Sequence, residues 1–87
     1  MKKITMFYLE HCPFCKRAFQ YISELKAEHP ELADIEIETI EESQHPEIAD
    51  QYDYYYVPTF YIDGEKLHEA GIYKNEMEEV LRRAIED

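Results

Sequence analysis

Two cysteines are all this chain has, and both lie in one tetrapeptide, Cys12-Pro13-Phe14-Cys15. That tetrapeptide constrains the fold more than any other feature, because of what flanks it. Before it runs "KITMFYL" (Lys3–Leu9), β-branched and aromatic, the composition of a buried strand. After it Ala18, Ile22 and Leu25 recur at helical spacing, with Phe14, Cys15 and Phe19 beside them. Proline is well tolerated in a helix only in its first turn, so the junction reads with Cys12 as N-cap and Pro13 as the first helical residue. The helix is expected to run to about Glu28 and to be stopped by Pro30.

The rest of the chain fits around this junction. "DIEIETI" (Asp34–Ile40) alternates Ile35 and Ile37 with Glu36 and Glu38, the pattern of a second strand with one acidic face. "HPEIADQY" repeats the proline signal and reads as a short helix from Pro46 to Tyr52. "TFYID" and "KLHEA" flank a hairpin turn at Asp63-Gly64. Tyr73, Met77, Val80, Leu81, Ala84 and Ile85 share a stripe, which predicts an amphipathic C-terminal helix capped by Asn75. The order is β-α-β-α-β-β-α. A helix between the first two strands favours a parallel pair with a right-handed crossover, and the last two strands form an antiparallel hairpin. The expected fold is α/β, a mixed four-stranded sheet flanked by three helices. At 87 residues, a single domain spanning 1–87 is expected.

Charge narrows the partners. Twenty acidic residues against nine basic ones give a net charge of −11. A polyanion repels nucleic acid and anionic lipid, so neither nucleic acid nor membrane is expected as a partner, and a monomer is expected. No apolar run approaches the roughly 20 residues of a membrane span. The apolar run of "MKKITMFYL" is too short for a leader, so the expected location is cytoplasmic. Thiols there are kept reduced, and a close cysteine pair reads as catalytic or metal-binding rather than as a staple.

At a helix N-terminus, unpaired N–H groups and the helix dipole stabilise a thiolate at Cys12, and the thiolate is the nucleophile. Cys15, one turn on, is placed to attack a mixed disulfide formed at Cys12. His11, Lys16 and Arg17 add positive charge nearby, while Glu10 opposes it. A structural disulfide would close so small a loop that little entropy is gained. A metal site needs about four ligands. His11 supplies at most a third, and His29, His45 and His68 lack ligand spacing, so no metal is expected and the histidines read as surface residues.

"CPFC" after a strand, "YVPTFYIDGE" further on and the element order resemble the thioredoxin superfamily, and the short length and Cys-Pro-aromatic-Cys motif look most like glutaredoxins. The resemblance implies that Cys12 attacks and Cys15 resolves. It implies a cis Pro58 facing the dithiol, with the Val57 backbone pairing with an extended substrate. His11, Pro13, Phe14 and Gly71 would complete the substrate surface, with Phe14 partly exposed. Three departures stand out. Leu9 occupies the place, three residues before Cys12, where glutaredoxins usually carry a basic residue for a glutathione carboxylate. Ala70-Gly71 replaces a Gly-Gly pair. The residues after it are Ile72, Tyr73 and Lys74, and Lys74 reads as solvated. Ala49 and Tyr52, ahead of "VPTF", look closer to thioredoxin-like chains. Thioredoxins themselves carry Trp where His11 stands and a buried acid on the first strand, which "KITMFYL" lacks.

Tyr54, Tyr55 and Tyr56 precede Val57-Pro58. They read either as an aromatic platform for substrate or, the preferred reading, as one or two rings packed under the sheet edge and the rest covering the loop. Glu41-Glu42 and Glu78-Glu79 read as solvated acids. The expected function is a dithiol thiol–disulfide oxidoreductase acting on disulfide-containing proteins or small thiol substrates. It would have no bound cofactor and be recharged by glutathione or a thioredoxin-reductase-type flavoprotein donor. The alternatives are an iron–sulfur or metal carrier sharing a cluster between two subunits through Cys12, and a binding module that presents the tyrosine loop.

Overall fold

The computed structural model describes residues 1–86. Four strands and three helices follow in the expected order: β1 (Ile4–Tyr8), α1 (Pro13–Glu28), β2 (Ile37–Glu41), α2 (Pro46–Ala49), β3 (Thr59–Ile62), β4 (Glu65–Glu69) and α3 (Lys74–Ile85). The sheet order is β2-β1-β3-β4. β1 runs parallel to β2, with Ile4 opposite Ile37 and Tyr8 opposite Glu41. It runs antiparallel to β3, and β3 and β4 form the hairpin.

Alternation along the central strands divides the core in two. Ile4 and Met6 of β1 and Phe60 and Ile62 of β3 face one side, where Ala18, Ile22 and Leu25 of α1 and Met77, Val80, Leu81 and Ala84 of α3 cover them. Phe7, Ile40 and Tyr61 face the other side, under Ile48, Ala49, Tyr52, Tyr54 and Val57. The first face is thick. The second is a small aromatic layer in which Phe7 stacks on Tyr54 at 4.9 Å and meets Tyr52 at 4.8 Å. Fully burying a side chain such as Phe7 or Leu25 is worth about 1.5–3 kcal/mol each, which is why both periods are so regular.

Several boundaries differ from the sequence reading. β2 begins at Ile37 rather than Asp34, because Pro30–Leu32 forms a 3-10 turn and Ile35 is drawn into the core by it. α2 ends at Ala49 rather than Tyr52. α3 starts at Lys74 with Tyr73 as N-cap, two residues ahead of the expected Asn75. The reason is Glu76, whose Oε1 accepts the Tyr73 N–H at 2.9 Å and so satisfies an end group there. Lys74 is not simply solvated: its Nζ lies 3.1 Å from Glu24 and 2.9 Å from Glu28, tying α3 to α1.

Candidate active site

The loop leaving β1 delivers Cys12 to the start of α1, half-buried, as the N-cap. The Cys15 N–H donates to Cys12 Sγ at 3.2 Å, and the first turn of α1 holds no acidic residue. The partial positive charge of the helix end therefore acts on this sulfur with no acid in the same turn to oppose it. The Cys12 thiol also reaches the Val57 carbonyl at 4.0 Å. Cys15 is 1% exposed. Burial pushes its thiol up to about 12, helped by its hydrogen bond with Cys12 and by the nearby Cys12 and Glu42. Both cysteines are free thiols here, one accessible and one buried.

Two carboxylates hold the walls of the site, and the sequence reading assigned a role to neither. Glu41, at the end of β2, is not a solvated acid: it is 7% exposed. Its Oε2 accepts the Glu10 N–H at 3.1 Å, and its Oε1 accepts the Ser43 N–H at 2.7 Å and the Ser43 hydroxyl at 2.6 Å. The Ser43 hydroxyl first, then the Glu10 N–H, hold its carboxyl below the usual range. It thereby pins the loop in which His11 adopts the left-handed region, φ 64°. Glu42 is likewise engaged, accepting the Tyr54 hydroxyl at 2.7 Å.

On the opposite wall, Glu69 Oε2 accepts the backbone N–H groups of Tyr55 at 2.6 Å and Tyr56 at 3.0 Å. Lys66 Nζ donates to Glu69 Oε1 at 2.7 Å and to the Asp53 carbonyl at 3.0 Å. Lys66 first, then the Tyr55 N–H, draw the Glu69 carboxyl down to about 2. Residues three apart on a regular strand face opposite sides. A bulge shifts the β3–β4 register between Phe60 and Tyr61, so that Lys66 pairs with Tyr61 and Glu69 with Thr59, and the two side chains meet.

This clamp carries the segment ending in Val57-Pro58, whose peptide bond is cis. Pro58 is buried, and its carbonyl accepts the Ala70 N–H at 2.9 Å. Among the described residues, neither the N–H nor the carbonyl of Val57 enters a backbone hydrogen bond. Of the tyrosine run, Tyr54 packs on Phe7, while Tyr55 and Tyr56 are 86% and 68% exposed. Phe14 is 54% exposed, and its ring lies against Gly71, where an added Cβ would stand 3.2 Å from it. The structure thus gathers Cys12, Cys15, Phe14, Val57, Pro58 and Gly71 at one end of the sheet. His11 and Pro13 lie exposed beside Cys12, and neither forms a side-chain hydrogen bond or ion pair among the described residues. No group of three or more His, Cys, Asp or Glu residues stands close enough to hold a metal ion, again among the described residues.

Residues 4–67 match the sequence model of the glutaredoxin family. The chain belongs to the glutaredoxin family. That membership, with cysteines at 12 and 15 in the CxxC spacing, supports a thiol-redox function. No curated protein matches the chain. Its backbone is similar to that of a thioredoxin from Fasciola hepatica, with TM-score 0.68, 22% identity, and 95% of this chain and 80% of that one covered. It is also similar to oxidised mitochondrial thioredoxin 3 from Saccharomyces cerevisiae, with TM-score 0.71, 22% identity, and 94% and 77% covered. A malarial protein covers 99% of both chains at TM-score 0.73 and 11% identity. At these identities the likeness is one of fold, and this glutaredoxin-family chain has the thioredoxin fold. No helix among the described residues is long and apolar enough to cross a membrane.

Proposed function

We propose that the protein is a dithiol thiol–disulfide oxidoreductase that reduces protein or small-molecule disulfides through Cys12 and Cys15. The observation that carries this reading is the asymmetry of the pair: an accessible sulfur receiving a helix-end N–H at 3.2 Å, beside a buried thiol. Cys12 thiolate attacks one sulfur of the substrate disulfide. The S–S bond breaks, and its electron pair leaves on the second sulfur, which takes a proton. Cys15 then loses its proton and attacks Cys12 Sγ. A Cys12–Cys15 disulfide forms and the first substrate sulfur departs as a thiol. The substrate gains two electrons and two protons, and the protein dithiol loses them.

In this reading the Val57 backbone, which enters no backbone hydrogen bond among the described residues, takes up an extended substrate strand, and His11, Pro13, Phe14, Pro58 and Gly71 form the surface around it. The proposed setting is the cytoplasm, as a monomer, with no bound cofactor. The electron donor is glutathione or a flavoprotein reductase. A titration in glutathione buffers of varied ratio, acid-quenched and read by intact mass, tests this. A Cys12–Cys15 disulfide that forms and breaks across the range supports the dithiol reaction. A transient glutathione adduct assigns glutathione as donor. Its absence, with faster reduction by a thioredoxin-reductase system, assigns the flavoprotein. A pair that stays unreactive throughout refutes the oxidoreductase reading.

A further inference from the structure

A cavity of about 230 Å³ opens between α1 and the segment after β4, lined by Phe14, Arg17, Tyr21, Gly71, Ile72 and Tyr73. Its wall against the dithiol is Phe14, the residue between the cysteines, whose ring rests on Gly71. An apolar cavity of about 150 Å³ holds a benzene ring, so this one has room for an aromatic or branched aliphatic side chain. Tyr73, at its rim, is 75% exposed.

Of the three arginines, Arg82 and Arg83 sit in ion pairs among the described residues. Arg17 sits in none, as do Lys2, Lys16 and Lys26, although acids outnumber bases twenty to nine. The acids further along α1 are already engaged. Glu24 accepts from Gln20 at 3.0 Å and pairs with Lys74, as Glu28 does. The Arg17 guanidinium instead lies 5.9 Å from the centre of the Phe14 ring. A guanidinium with its planar fork free is built to take a carboxylate bidentately.

We propose that this cavity is a substrate subsite for a protein disulfide: it receives an aromatic or branched aliphatic side chain, and Arg17 pairs with an acidic side chain next to it. The inference rests on the oxidoreductase reading above. Arg17 lies five residues past Cys12, about 7.5 Å along the helix axis at 1.5 Å per residue. An extended substrate covers that distance in two to three residues. The subsite therefore selects residues two or three positions from the reacting cysteine.

Capped heptapeptides of sequence Asp-Phe-Gly-Cys-Gly-Phe-Asp, each joined through cysteine to 2-mercaptoethanol, carry the determinant in both chain directions. Partner peptides replace Asp by Lys or Phe by Gly. Pre-reduced protein is mixed in excess with each peptide, quenched with acid and read by mass. The protein dithiol is the reductant, and peptide thiol, 2-mercaptoethanol and protein disulfide are the products. The subsite makes the acidic peptide react about five- to tenfold faster than the lysine peptide, the scale of an exposed ion pair gained against a repulsion. The net charge of −11 alone favours the lysine peptide, so the two explanations predict opposite orders. Replacing Phe by Gly lowers the rate. Arg17→Glu, folded by circular dichroism, inverts the acidic preference, whereas Lys16→Gln keeps it. An equal or reversed order with the unaltered protein overturns the subsite while leaving the oxidoreductase reading intact. So does an acidic preference that survives Arg17→Glu. A reduced protein that leaves every peptide disulfide unbroken overturns both.

Discussion

Replacing Cys12 by serine and by alanine separates its two structural duties. Its Sγ accepts the Cys15 N–H at 3.2 Å and so caps α1. Serine keeps a capping oxygen at that position and alanine removes it, a change that costs about 1 kcal/mol at typical N-caps. Unfolding entropy near 2.1 cal/mol/K per residue gives roughly 180 cal/mol/K for a chain this size, so 1 kcal/mol moves Tm by about 5–6 °C. In reducing buffer, where no disulfide contributes in any variant, Cys12→Ser is expected to melt at or slightly above the unaltered protein. Cys12→Ala is expected to melt about 5–6 °C below Cys12→Ser. Differential scanning calorimetry at one protein concentration measures all three. If the serine and alanine variants melt together, the N–H of Cys15 is not stabilising the residue at 12. The argument that the same N–H stabilises a thiolate there then loses its basis.

Four further outcomes follow from the structure. Cys15→Ser traps the Cys12 mixed disulfide with a peptide substrate. In the unaltered protein the same adduct, followed by quenched-flow mass spectrometry, disappears faster as pH rises from 7 to 9, because burial holds the Cys15 thiol protonated with its value up at about 12; a pH-independent decay refutes this. Glu69, drawn down to about 2, contributes stability that is fully present above the ordinary carboxylate range and is lost as pH falls through about 2. The gap in Tm between the protein and Glu69→Gln should therefore be widest near neutral pH and close toward pH 2, and a constant gap would contradict the Lys66–Glu69 clamp. Ala70 sits at φ 77°, a region that strains residues with a Cβ. Ala70→Gly relieves that strain against the greater freedom of glycine in the unfolded chain, and a net gain of about 0.5–1 kcal/mol is expected in urea titration; a loss shows that Ala70 is not strained.

Period and proline placement made most of the fold legible in the sequence. The strand at Ile4–Tyr8, the junction at Cys12-Pro13 and the stripe of α3 each rest on local patterning that tertiary packing reinforces. The cysteines were equally plain, since Cys12 and Cys15 stand on one helix turn. Glu41 and Glu69 were not. A carboxylate that binds backbone N–H groups from a distant loop looks, in sequence, like any acid on a solvated face. The only local trace of Glu41 is its place directly after Ile40, at the end of a strand next to β1. Glu69 faces Lys66 only because of the bulge, and no pattern in "EKLHE" marks that extra residue. The late start of β2 came from the 3-10 turn at Pro30–Leu32, which takes up chain that the alternation of Ile35 and Ile37 had claimed for a strand.

The uneven thickness of the two sheet faces has a mechanical consequence at the dithiol. Cys12 and Cys15 ride on α1, which is bolted to the deep face through Ala18, Ile22 and Leu25. Val57 rides on the shallow face, where three buried side chains sit beneath α2 and the tyrosines. Opening costs least where few apolar contacts must be broken. Amides from Glu47 to Val57 will therefore exchange with solvent through openings that leave α1 intact. In the proposed reaction the attacking sulfur is thus mounted on the stiff half of the molecule and the proposed substrate edge at Val57 on the compliant half, so that substrates of different shape would be met by movement of one wall while Cys12 stays in place.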